Sequence, residues 1–273
     1  MPMKSRSKDL QKTSFSLIQY PINVDTKKTI RQVFTILKKI PLTDYIILPE
    51  MWLGGPRSPM EHSLWNEIYQ EALRQIQHWC RAKKTNVILS QLEIVQKNTY
   101  NTSFWIDKSG RIFHRYRKIH LFTLGGEGEI FSSGEKISTV KTLHGLMGSI
   151  VCYDLRFPEL IRCMANQGIK VLIVSAQWPE SRRDHWLTLL KARAIENQIY
   201  VVAANRLGEK DGQKYSGDSV IIDPWGKILL HLGPHKKWGT CSIDGKDLDK
   251  IRTQYPFFEE RKFFGKNLPK RQR

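Results

Sequence analysis

The sequence is short of the features that mark several common protein classes. Its four cysteines (Cys80, Cys152, Cys163 and Cys241) form no Cys-x-x-Cys pair and no spacing typical of zinc ligands, so neither a disulfide framework nor a zinc site is expected. No apolar run reaches the roughly eighteen residues that a membrane span needs, and the first residues contain no signal-peptide h-region. P-loop, Gly-x-Gly-x-x-Gly and His-Glu-x-x-His patterns are missing, so nothing calls for a nucleotide, a cofactor or a metal. Acidic residues are in the minority, 26 against 44 basic ones, which leaves a formal net charge of +18. Such a balance invites a nucleic-acid partner. The basic residues are dispersed between the two ends of the chain, however, and no RRM, KH, zinc-finger or helix-turn-helix pattern accompanies them. Nucleic acid is therefore not an expected partner, and the charge reads as solvated surface that attracts anionic metabolites.

What is present suits an enzyme. At 273 residues and 40% hydrophobic content the chain can bury a substantial core. Polar, basic stretches at 1–12 and 261–273 read as tails around a single domain spanning 13–260. Asp9 and the scarcity of apolar residues nearby argue against a mitochondrial presequence, and unpaired cysteines suit a reducing, cytoplasmic setting.

Apolar periodicity gives alternating elements. Phe15 to Tyr20 reads as a strand, and Asp25 caps a helix carrying Ile30, Val33, Phe34, Leu37 and Ile40 on one face. A strand runs to Glu50. A second helix places Leu64, Ile68, Ala72, Ile76, Trp79 and Cys80 together, which makes Cys80 a core residue. Val87 to Ile94 is a strand, and a hairpin turning at Asp107-Lys-Ser-Gly110 leads to Lys118. Further strands end at Cys152, cover Lys170 to Ala176, and begin at Ile199 and Ser219. A helix spans about Arg182 to Asn197, and a second hairpin turns at Asp223-Pro-Trp-Gly226. Alternation with two hairpins predicts an α/β fold of mixed sheets covered by helices, without specifying how the sheets stack.

Cys152 is the most informative residue. Ile150 and Val151 deliver it to a strand's end, a sharp turn follows, and Pro158 stands where a helix would begin. Lone cysteines are commonly buried core residues. This one sits where backbone N–H groups and a helix N-terminus are expected to favour a thiolate and to bind an oxyanion. Amide attack by a thiol also needs a base and a proton donor. The histidines follow no supporting pattern. Glu50 instead ends the apolar strand Ile46-Ile-Leu-Pro-Glu, and Lys118 follows the hairpin strand. Active sites in α/β folds gather at such strand ends, so the three can converge.

Leu48-Pro-Glu-Met51, Arg117-Lys-Ile-His-Leu-Phe122 and Val151-Cys-Tyr-Asp-Leu-Arg-Phe-Pro-Glu159 together resemble the carbon–nitrogen hydrolases of the nitrilase superfamily, most closely the Nit/ω-amidase branch. The likeness runs from about Ser14 to Gln254. It implies a four-layer α-β-β-α sandwich, a homodimer or higher homo-oligomer, and hydrolysis of a small linear carboxamide to acid and ammonia through a cysteine thioester. Glu50 would be the general base, Cys152 the nucleophile and Lys118 the oxyanion stabiliser, with the Tyr153 backbone N–H as second donor. A second glutamate would position the lysine and the substrate: Glu127, seven residues before Gly134, or its neighbour Glu129. Arg156 would clamp a substrate carboxylate, or else form an internal ion pair with Glu159 or Asp154. Trp178 would wall the acyl pocket. A carbamoyl hydrolase, a nitrilase and a catalytically silent binding protein or scaffold are the alternatives on the same fold.

Overall fold

The computed structural model describes residues 12–258, 260 and 261. The two expected tails lie outside these residues apart from Lys12 and Arg261. In chain order come β1 (Thr13–Ile18), α1 (Thr26–Leu37), β2 (Tyr45–Ile47), α2 (His62–Lys83), β3 (Asn86–Val95), β4 (Asn98–Ile106) and β5 (Ile112–Arg117). A single turn, α3 (Glu127–Ile130), leads to β6 (Thr139–Thr142), β7 (Gly145–Val151), α4 (Pro158–Asn166), β8 (Val171–Ala176), α5 (Arg183–Asn197) and β9 (Tyr200–Asn205). Then follow β10 (Leu207–Lys210), β11 (Gln213–Ser216), β12 (Val220–Ile222), β13 (Ile228–His231), β14 (Trp238–Ile243) and α6 (Gly245–Gln254).

Local chemistry sets many of these boundaries. The Asp25 carboxylate accepts the Lys27 and Lys28 N–H groups at 2.9 and 3.3 Å, so α1 starts where the capping residue predicts. Asp107 accepts from the backbone of Ser109 and Arg111 at 2.8 and 3.0 Å, which closes the β4–β5 hairpin. Pro158 opens α4, where its missing N–H costs nothing.

Twelve of these strands form two six-stranded sheets of similar plan. The first has the order β14-β1-β2-β3-β4-β5 and the second β13-β12-β9-β8-β7-β6. Each has three parallel strands at its centre, β1–β3 and β7–β9, flanked by antiparallel ones. The central strands are buried on both faces, which is why they read as unbroken apolar runs.

Alternate residues then divide between two environments. Val171 and Ile173 of β8 join Phe15, Leu17, Tyr45 and Ile47 in a core between the sheets. Leu172 and Val174 face the other way, onto Leu160, Met164, Trp186 and Leu190 of α4 and α5. On the far side of the molecule, Ile18 and Ile46 pack against Val33, Ile36, Tyr69 and Ile76 of α1 and α2. The layers are thus helix, sheet, sheet, helix, as in the four-layer sandwich that the resemblance implies. Cys80 is fully buried among these helix residues, and burial pushes its thiol up to about 12.

Candidate active site

Strand ends from both sheets meet at one edge. Glu50 follows β2, Lys118 follows β5 directly, and Cys152 follows β7 directly. β8 contributes Gln177 and Trp178 just past its end. The two sheets are bonded together here: Ser175 Oγ donates to the Leu48 carbonyl at 2.9 Å, and Gln177 Nε2 to the Glu50 carbonyl at 2.9 Å.

Lys118 holds the buried end together. It is 1% exposed, and its Nζ donates to Glu50 Oε1 at 2.9 Å and to Glu127 Oε1 at 2.7 Å. Burial disfavours its ammonium, but Glu50, Glu127 and the Cys152 sulfur outweigh that and raise its pKa, so the charge is fixed. Glu50 is oriented from three sides. Asn101 Nδ2 donates to Oε1 at 2.8 Å, the Gln177 N–H to Oε2 at 3.1 Å, and the lysine supplies the third contact. Ser90 Oγ donates to Asn101 Oδ1 at 2.6 Å and so fixes which way that amide points.

The two glutamates differ in placement. Glu127 reaches Lys118 and accepts the Phe122 N–H at 2.9 Å, whereas Glu129 is exposed. Gly134 accounts for the seven-residue spacing. Its N–H donates to the Lys118 carbonyl at 2.7 Å, and a Cβ at that position would collide with the Arg117 carbonyl. The segment between is therefore pinned at both ends, with Glu127 at its middle. Burial raises the Glu127 pKa, with Lys118 opposing and Glu50 adding to the rise.

Cys152 sits in a left-handed backbone conformation with φ of +45°. Such a conformation costs an ordinary residue about 1–2 kcal/mol and persists only where its surroundings enforce it. Asp154 does the enforcing. Its buried carboxylate accepts the Val151 N–H at 3.1 Å, the Tyr116 hydroxyl at 2.8 Å and the His120 N–H at 2.9 Å, with His120 Nδ1 also at 2.9 Å. One side chain thus joins the turn that carries Cys152 to the segment that carries Lys118.

In one respect this end of the site differs from the sequence reading. The thiol is not in thiolate-favouring surroundings: burial, Glu50 and Glu127 push its pKa well up, against Lys118 and the Gln177 backbone. Pattern could not show that two carboxylates flank the sulfur. Beside Lys118, Arg115 and Arg117 both pair with Glu93, at 3.4 and 2.8 Å.

A cavity of about 360 Å³ opens above these groups, lined by Glu50, Glu127, Cys152, Tyr153, Arg156 and Trp178 among others. The Tyr153 ring packs against Phe122 and Phe157, with ring centres 5.1 and 5.3 Å apart. Trp178 is almost fully buried and donates from Nε1 to the Arg182 carbonyl at 2.8 Å. Arg156 forms no ion pair with Glu159 or Asp154. Its guanidinium lies 4.7 Å over the Trp178 ring and 3.4 Å from His185 Nδ1. Arg193, by contrast, does pair with Glu196, at 3.2 Å, and takes the Leu155 carbonyl as well.

Sequence reasoning missed Asn101, Gln177 and Asp154 as supports, and Arg182, Lys210 and Tyr215 as cavity wall. Asp154 stands inside the cysteine motif, so its position was visible without its partners. Among the described residues no cluster of His, Cys, Asp and Glu is arranged to hold a metal ion, and no helix is long and apolar enough to cross a membrane.

Stacked sheets with a Glu–Lys–Cys constellation at one edge define a hydrolase of the nitrilase-superfamily fold. Residues 16–253 match the carbon–nitrogen hydrolase family model, and the chain belongs to that family of hydrolases acting on non-peptide carbon–nitrogen bonds. It is 37% identical over 257 residues to a 2-oxoglutaramate amidase of Bacillus subtilis, covering 91% of this chain and 97% of that one. It is 28% identical over 244 residues to the ω-amidase NIT3 of Saccharomyces cerevisiae, covering 83% and 84%. Among solved structures, a Helicobacter pylori carbon–nitrogen hydrolase superposes with a TM-score of 0.88 at 23% identity, over 96% of this chain and 99% of that one. Yeast Nit3, of branch 10 of the nitrilase superfamily, gives 0.82 at 26% identity, over 93% and 97%.

Proposed function

We propose that this protein hydrolyses the terminal amide of a small, carboxylate-bearing acyl compound, with Cys152 as nucleophile. The observation that carries the reading is the buried Lys118 ammonium bonded at once to Glu50 and Glu127, which both line the same cavity as Cys152. The names of the amidase relatives support the substrate class.

The steps follow from that arrangement. The Cys152 thiol rests protonated, so the Glu50 carboxylate must take its proton as sulfur attacks the amide carbon. Negative charge moves onto the carbonyl oxygen, where Lys118 Nζ and the Tyr153 backbone N–H stabilise it. The carbon–nitrogen bond then breaks, the proton on Glu50 passes to nitrogen, and ammonia leaves a thioester. Glu50 next takes a proton from water, whose oxygen attacks the thioester carbon. The carbon–sulfur bond breaks, the acid is released, and the proton returns to sulfur. Glu127 stays bonded to Lys118 throughout and holds it on the oxyanion. Trp178 and Tyr153 wall the acyl chain. Arg156 has no ion pair among the described residues and lines the cavity, so it offers a planar fork to the substrate carboxylate.

Four free cysteines suit a reducing compartment such as the cytoplasm. A homodimer or larger homo-oligomer belongs to the same reading and is measurable by sedimentation velocity. Incubation with ω-amides, ureides and nitriles tests the chemistry. Ammonia and acid are expected from ω-amides, without carbon dioxide and without nitrile consumption. Cys152→Ala should abolish turnover with the circular dichroism spectrum unchanged. Retained activity in that variant would remove Cys152 from the mechanism.

A further inference from the structure

At and behind one wall of the cavity lies positive charge that pairs with no carboxylate among the described residues. Arg206 is fully buried, yet its guanidinium donates only to neutral acceptors: Gln177 Oε1 at 2.9 Å, the Ile22 carbonyl at 3.2 Å and the Glu209 carbonyl at 3.4 Å. Its Nε has no hydrogen-bond partner among the described residues, and the group lies 4.7 Å over the Tyr215 ring. Beside it stands Lys210, half-buried, whose ammonium has no ion pair or hydrogen bond among the described residues. Burial first, then Arg206 and Arg57, depress its pKa, while Asp211 and Glu61 oppose them. Both of those carboxylates are committed elsewhere. Asp211 pairs with Arg57 at 2.9 Å, and Glu61 accepts from the Arg57 N–H and Trp65 Nε1 at 3.0 and 3.3 Å.

The backbone around Lys210 is firmly placed. It ends β10, whose hairpin with β11 closes through Asp211-Gly212, both with positive φ, as a two-residue turn matched to strand twist requires. The Asp211–Arg57 pair ties down the tip, and the Leu207 N–H bonds the Tyr20 carbonyl at the root. Lys210 and Gly55 also line a second cavity of about 470 Å³, which Arg156 does not reach. A partly desolvated cation on a fixed backbone, without a partner among the described residues where two cavities meet, is a poor arrangement unless a ligand supplies the anion.

We propose that Lys210 sets specificity for a second carboxylate, carried on an extension of the acyl group beyond the one that faces Arg156. This rests on the amide reading above. The preferred substrates are then dianionic ω-amides whose extension points toward the second cavity.

N-acetylglutamine and N-succinylglutamine provide the comparison, since both have the ω-amide and α-carboxylate and only the second has the extra anion. Each is titrated calorimetrically into the Cys152→Ala protein, so the result does not depend on turnover. N-succinylglutamine is expected to bind at least about tenfold more tightly, the scale of a single charge-assisted contact. That ratio should fall to about one when Lys210→Met is added and persist with Lys210→Arg. Equal or absent binding of the two compounds with Lys210 in place, or a preference that survives Lys210→Met, overturns the proposal. Failure of the wild-type protein to release ammonia from either compound would count against the amide reading alone.

Discussion

The two ends of the cavity use charge in opposite ways. At the buried end, one ammonium and two carboxylates satisfy each other, with Asn101, Gln177 and the Phe122 N–H taking up remaining oxygens. At the outer end, Arg156, Arg182 and Lys210 line the wall, and none has a carboxylate partner among the described residues. Two of these cations rest on aromatic faces instead, Arg156 on Trp178 at 4.7 Å and Arg182 on Phe122 at 5.7 Å. Charges that must be ready before substrate arrives are thus neutralised by the protein. The cations along the outer wall have no such partner among the described residues, as the proposed carboxylate-bearing substrate requires.

Breaking the buried end should have the larger effects. Lys118→Met removes an oxyanion donor and is expected to lower kcat at least about a hundredfold. It also leaves the buried Glu50 and the half-buried Glu127 without their shared cation, which should cost about 3–5 kcal/mol of stability. Urea titration of both proteins checks this. Because the folded protein raises the Lys118 pKa, the stability gap should be complete below the ordinary lysine value of about 10.4 and narrow as pH rises above it. A smaller loss, of about tenfold or more in kcat, is expected for Glu127→Gln, which keeps the shape but weakens the grip on Lys118. Glu129→Gln should stay within about twofold, as exposed substitutions do. The reverse order would show that the α3 register is misplaced.

Changes at the outer end should act on binding rather than on the chemical step. Arg156→Lys is expected to raise KM about tenfold for a carboxylate-bearing amide and to leave a neutral amide of equal length nearly unchanged, since an ammonium cannot reproduce the guanidinium fork. Steady-state kinetics on the two amides make the comparison. The smallest effect is electrostatic. Raising ionic strength from about 0.02 to 0.5 M should lower kcat/KM for the anionic substrate a few-fold by screening the exposed cations, while kcat holds because the buried group is shielded from salt.

Lys118 was legible from the hairpin turn ahead of β5, an antiparallel and mostly half-exposed strand, whereas Glu50 and Cys152 end apolar runs of the kind that parallel strands buried on both faces produce. Ile46 to Glu50 and Ile150 to Cys152 are of this kind. Their electrostatics were not legible, because the carboxylates that raise the Cys152 pKa come from other strand ends. β10 and β11 went unread although Asp211-Gly212 is a strong hairpin signal, since the strands around it are short and polar. β14 is mostly half-exposed, and its pairing partner lies some 230 positions away, so no local pattern announces it. Arg156 allowed two readings from sequence, and only the packing of Trp178 and His185 around it separates them.

That remote pairing bears on how the chain is made. β14 closes the first sheet by lying along β1, Thr13 opposite Ile243. On the ribosome, then, β1 emerges long before the strand that covers its outer side. At about 5–20 residues per second the delay is roughly ten to fifty seconds. Throughout that interval a strand with Phe15, Leu17 and Ile18 presents an open row of backbone donors and acceptors, the geometry most apt to recruit another chain. The nascent protein is therefore most vulnerable to aggregation before residue 243 is free, and a chaperone holding the early sheet would act in this window.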